Sequence, residues 1–116
     1  MSKKADMLAS KYKYTVLKDW TTEVNGTGLV GVVTTTRRAL EQMFGKPFEY
    51  TDDYPYWDGK TTTEWLIEFD DGVIATVYDW KRYESGAPAQ DETYTWHIGG
   101  HDSEAFARIQ YLTPPF

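Results

Sequence analysis

At 116 residues the chain has the length of one compact domain, and it contains no cysteine, which excludes disulfides, thiolate catalysis and thiolate metal sites. No apolar run reaches signal-peptide or transmembrane length, so a soluble protein that is not exported is expected. The net charge is −6 and uneven, with eight Lys/Arg against four acids in residues 1–46 and four against fourteen in residues 47–116, so no broad basic face offers itself to nucleic acid.

In chain order, residues 1–10 are expected to form a flexible tail, and residues 11–116 a single α+β domain. Tyr12 to Leu17 alternates aromatic and polar positions, as a first strand would. Asn25-Gly26-Thr27-Gly28 signals a turn, and Leu29 to Val33 a short apolar strand. One of Thr34, Thr35 or Thr36 can cap a helix running to Phe44, with Ala39, Leu40, Met43 and Phe44 on one face; Gly45 stops it and Pro47 forbids its continuation. Thr51 to Lys60 reads as a loop.

Thr61 to Asp70 and Val73 to Trp80 read as a hairpin closed by the two-residue turn Asp71-Gly72. That turn predicts Phe69 opposite Ile74, Ile67 opposite Thr76, Trp65 opposite Tyr78 and Thr63 opposite Trp80, all on one aromatic face. Glu64, Leu66, Glu68, Val73, Ala75, Val77 and Asp79 would then share the other face. Lys81 to Asp91 is a polar loop, and Thr93 to Ile98 a further strand. A last helix begins at Asp102 or Ser103, turns Ala105, Phe106 and Ile109 inward, and stops at Pro114-Pro115. The expected fold is α+β, an antiparallel β-sheet meander packed against two helices.

Chemistry concentrates in two places. At Trp96-His97-Ile98-Gly99-Gly100-His101-Asp102-Ser103 a strand meets a helix through a glycine pair. Backbone N–H groups at Gly99 and Gly100 could hold a phosphate, with His97 or His101 and nearby Lys60, Lys81 or Arg108 adding charge; an ordinary strand-to-helix connection is the other reading. The expected hairpin register also gathers Lys60, Thr61, Thr63, Tyr78, Trp80 and Lys81 at the end remote from the turn, close to Trp96 and His97. Indoles would stack on a base, hydroxyls would bond ribose or phosphate, and lysines would offset charge. On the alternative reading these aromatics are core, as Trp65 and Ile67 are expected to be.

Glu64 and Asp79 would oppose each other across the hairpin, either as a solvated pair or as an acid–base or cation-binding pair. No nucleophile motif or phosphate loop is present, so a non-enzymatic protein without cofactor or metal is expected; a phosphodiesterase using His97 stays open. The acidic half is either a solvated surface or a contact for a basic partner, Asp52, Asp53, Asp58, Glu64, Glu68, Asp70 and Asp71 forming an inhibitor face that mimics DNA.

The segments Lys60-Thr61-Thr62-Thr63-Glu64-Trp65, Ala75-Thr76-Val77-Tyr78-Asp79-Trp80-Lys81 and Trp96-His97-Ile98-Gly99-Gly100 resemble small accessory proteins encoded by tailed bacteriophages, over about residues 40–110. The resemblance implies a protein acting in the host cytoplasm against host defence. One class of such proteins sequesters nucleotide immune signals without cleaving them, in a pocket that joins aromatic stacking to phosphate contacts and usually in an oligomer. The expected ligand is therefore a small anionic nucleotide, a cyclic oligonucleotide or an ADP-ribose derivative, bound by a homo-oligomer.

Overall fold

Six strands form one antiparallel sheet in this computed structural model, which describes residues 12–50, 60–82 and 85–113. They are β1 (Tyr14–Leu17), β2 (Gly28–Thr36), β3 (Phe48–Glu49), β4 (Thr63–Phe69), β5 (Ile74–Tyr78) and β6 (Thr93–Gly100). Helix α1 (Arg37–Phe44) follows β2, and α2 (Ser103–Leu112) follows β6. The order across the sheet is β1-β4-β5-β6-β2, with β3 continuing the β1 side of β4. The α+β expectation is met, with β4-β5-β6 as the meander. The tail at 1–10, the loop at 51–59 and Pro114-Pro115 lie outside the described residues.

Local chemistry explains the helix ends. The Thr36 hydroxyl accepts the Ala39 N–H at 3.2 Å, and Gly45 takes φ +83 to end α1. The Asp102 carboxylate accepts the Glu104 N–H at 3.0 Å and opens α2. Both helices cover the same sheet face: Leu40 and Phe44 of α1 and Ala105 and Ile109 of α2 close over Trp65, Ile67, Phe69, Val77, Trp96 and Ile98. Trp65 and Trp96 meet edge to face at 5.4 Å, and their indole N–H groups donate to the carbonyls of Gly45 and Thr35.

The hairpin differs from the expected one by a single residue. Its loop is Asp70-Asp71-Gly72, closed by the Gly72 N–H to the Phe69 carbonyl and the Phe69 N–H to the Val73 carbonyl, each at 2.8 Å. Gly72 sits at φ +91, the left-handed place of a three-residue loop with a glycine bulge rather than the second place of a two-residue turn. Observed partners are Glu64–Tyr78, Trp65–Val77, Leu66–Thr76, Ile67–Ala75 and Glu68–Ile74. Because side chains alternate, this slip turns all of β5 over. Ala75, Val77 and Asp79 face the helices; Ile74, Thr76, Tyr78 and Trp80 do not.

Among the described residues, the face opposite the helices is only half covered. Val24, on a short 3-10 turn (Thr22–Val24), packs on Leu66 and Ile74, flanked by Leu17 and Phe48. Past that plug, towards the far end of β5 and β6, the sheet surface carries Tyr78, Trp80 and His97.

Candidate functional site

A tight aromatic group occupies that uncovered end. Trp80 lies against His97 with ring centroids 5.9 Å apart and planes 26° apart, and Tyr78 meets Trp80 at 6.0 Å and His97 at 5.6 Å edge-on. Two ammonium groups flank the indole: Lys60 Nζ is 5.9 Å and Lys81 Nζ 5.7 Å from its centroid. Lys60, Tyr78, Trp80, Lys81 and His97 therefore come together as expected, although the register that was to unite them is not the one observed.

What unites them is the chain just beyond β5. Trp80 donates its backbone N–H to the Tyr94 hydroxyl at 3.0 Å, and Lys81 donates its own to the Lys60 carbonyl at 2.7 Å. Lys81 takes φ +54, the one described non-glycine residue with positive φ. A left-handed lysine costs energy that its surroundings must offset, and here two backbone tethers hold it. Beneath them the fully buried Asp79 carboxylate accepts the N–H groups of Thr62 and Thr63 at 2.7 and 2.9 Å and the Thr62 hydroxyl at 2.6 Å. It fixes the turn that carries Lys60 and Thr61. Sequence reasoning missed both Asp79 and Tyr94 as supports; an Asp two residues before the lysine and a Thr-rich turn were the only traces.

Electrostatically, burial lowers the His97 pKa, opposed by the Asp79 charge, so the imidazole is held neutral at neutral pH. Burial raises the Tyr78 pKa, helped by Glu64. Glu64 in turn accepts the Tyr50 hydroxyl at 2.8 Å, and Tyr50 stacks on Phe48. The site thus offers neutral aromatic surface, two ammonium groups and one carboxylate at its β3 margin.

Other expected site residues go elsewhere. Trp96 is sealed in the helix-side core at 0% exposure, because it alternates with His97 along β6. Thr63 is equally buried on that side, while Thr61 stays half-buried beside Lys60. Gly99 and Gly100 are not a phosphate cradle. Strand β6 runs through both, between Thr76 and Ala75 of β5 and Leu29 and Gly28 of β2. Their missing side chains serve packing, since a Cβ on Gly99 would collide with Thr76 Oγ1 and one on Gly100 with the Ala105 Cβ. The N-terminus of α2 already holds an anion of its own, the capping Asp102. His101 binds the Glu23 carbonyl through Nε2 at 2.7 Å and supports the 3-10 turn, four residues and roughly 13 Å along the strand direction from His97.

Arg108 sits at the hairpin-turn end, far from the lysines. Its guanidinium grips the Asp71 carboxylate through two hydrogen bonds of 2.5 and 2.6 Å, bonds Glu104 at 2.9 Å, and lies over Tyr12 and Phe69. Those carboxylates raise its pKa further, and its guanidinium in turn lowers that of Asp71. It is a structural clamp.

Glu64 and Asp79 occupy opposite sheet faces, so the expected carboxylate pair does not form. Nor does any group of three or more His, Asp or Glu among the described residues suit a metal ion. The acids expected to form one contact surface are divided. Asp71 is engaged by Arg108, Glu64 by Tyr50, and Asp52, Asp53 and Asp58 lie outside the described residues. No described helix is long and apolar enough to cross a membrane. No protein-family model matches the chain, and no curated protein matches it.

Proposed function

We propose that the chain binds a small planar anion of the nucleotide class on the uncovered sheet face. The observation that carries this reading is the double flanking of one indole by ammonium groups: Lys60 and Lys81 both stand within 6 Å of Trp80, in a chain of net charge −6. A base would stack against Trp80 and His97, and its phosphates would lie between the two lysines, with Thr61 and Tyr78 supplying hydrogen bonds. Because His97 is held neutral, it would act as a ring surface and hydrogen-bond partner rather than as a fixed cation. The bacteriophage resemblance gives the binding a purpose: sequestering a nucleotide immune signal in the host cytoplasm without cleaving it.

Thermal unfolding of the chain against cyclic dinucleotides, ADP-ribose and ordinary nucleotides tests this. A ligand bound by the folded state alone stabilises it by about 2.7 kcal/mol at one hundred times its Kd. Trp80→Ala and the double variant Lys60→Ala/Lys81→Ala are each expected to abolish the stabilisation while leaving the circular dichroism spectrum unchanged. Ligand recovered intact after denaturation supports sequestration, and a hydrolysed product indicates an enzyme instead. An unchanged melting temperature with every nucleotide, or full binding by the Trp80 variant, rejects the site.

A further inference from the structure

The two edges of the sheet are built differently. One edge is broken and guarded: β1 has four residues flanked by Lys13 and Lys18, and β3 has two residues preceded by Pro47. The other edge is β2, nine residues (Gly-Leu-Val-Gly-Val-Val-Thr-Thr-Thr) with neither charge nor proline. Among the described residues β2 has β6 as its one strand neighbour, so its outer row of N–H and C=O groups has no strand partner. Natural edges of this length normally carry charges, prolines or a cover that prevents pairing. A bulge between Leu29 and Gly31 interrupts its start, but Gly31 to Thr36 keep regular register with β6. Leu29 and Val32 on this strand are 59% and 44% exposed, two of the four large apolar side chains left open among the described residues.

We propose that β2 pairs with β2 of a second copy of this chain, joining two sheets edge to edge. Antiparallel pairing of identical strands places a two-fold axis normal to the sheet, and with Thr34 on that axis each residue of Val32–Thr36 meets a residue of the same short, neutral, β-branched run. Self-complementarity favours this occupant over a foreign strand: the run has no charge to specify a different partner and none to repel its own copy. Thr34 would then face Thr34 of the other copy and Val32 would face its Thr36 on the uncovered face, removing Val32 from water. The same symmetry sets both Trp80–His97 groups on one continuous face, with β5 of each copy five strand spacings apart, roughly 24 Å.

Sedimentation of the full chain over a concentration series tests the pairing, with a reversible dimer expected. In Val32→Lys/Thr34→Lys, facing like charges should raise the dimer Kd by about tenfold or more, with an unchanged circular dichroism spectrum. The cysteine-free background allows a second measurement: Thr34→Cys, carrying the sole thiol, should oxidise to a covalent dimer. A chain that stays monomeric at every concentration, or a dimer indifferent to the two lysines, overturns the proposal. Should the lysine variant fail to fold, absence of a covalent dimer from Thr34→Cys overturns it equally.

Discussion

Replacing Asp79 separates its supporting role from the acid–base role its charge suggests. The buried carboxylate holds three hydrogen bonds, two from backbone N–H groups to Oδ1 and one from the Thr62 hydroxyl to Oδ2. Hydrogen bonds to a charged acceptor contribute about 1.5–3 kcal/mol each. The Thr62 hydroxyl is partly exposed and can turn to water, so the two backbone bonds set the loss. Asp79→Ala should therefore cost about 3–5 kcal/mol. Asp79→Asn keeps the Oδ1 acceptor, and its amide can donate to the Thr62 hydroxyl in place of Oδ2, so only charge assistance is lost, about 1–2 kcal/mol. At roughly 4 °C per kcal/mol for a chain of this size, the melting temperature should fall by about 12–20 °C for alanine and about 4–8 °C for asparagine. Far-ultraviolet circular dichroism melts read both. A fall below about 4 °C for alanine, or equal falls for the two variants, would show that Asp79 does not anchor the Thr62–Thr63 turn.

Gly99→Ala should cost about 1–3 kcal/mol, because its methyl meets Thr76 Oγ1, and Thr76→Ala in the same chain should recover much of that; denaturant melts of the four chains measure the coupling, and a silent Gly99→Ala contradicts the packing role. The His97 imidazole, followed by nuclear magnetic resonance, should titrate below the ordinary value of about 6.5 because burial disfavours its cation. As pH drops through that value the unfolded chain takes a proton before the folded one does, so stability declines on acidification until folded His97 is itself protonated. His97→Gln should flatten that part of the pH–stability curve, and a midpoint at or above 6.5 would contradict the assigned burial. Bound phosphate should move the midpoint upward.

Much of the scaffold was legible in local chemistry. A threonine run at 34–36 and Gly45 marked the first helix, Asp102 or Ser103 the start of the second, and alternation in Thr63 to Phe69 an inner strand with Trp65 and Ile67 as core. These signals depend on neighbours within a few residues, and caps and periodicity act at that range. The loop Asp70-Asp71-Gly72 was ambiguous, because a glycine after two aspartates fits a two-residue turn and a three-residue bulged loop alike. One residue of slip then decided which face received Tyr78 and Asp79. The misread of Gly99-Gly100 has a similar origin: a glycine pair looks like a turn until a strand on either side shows that Thr76 and Ala105 need the space.

Composition and local pattern were thus sufficient for an α+β chain with two capped helices and a lysine–tryptophan cluster near the end of a strand. Only the folded sheet decided that Trp80 and His97 share the uncovered face while Trp96 and Thr63 lie under the helices. It also assigned Arg108 to Asp71 rather than to a ligand. The reason is physical: the face a strand residue occupies is set by register with its neighbours, and register is a property of the paired strands together rather than of either segment alone.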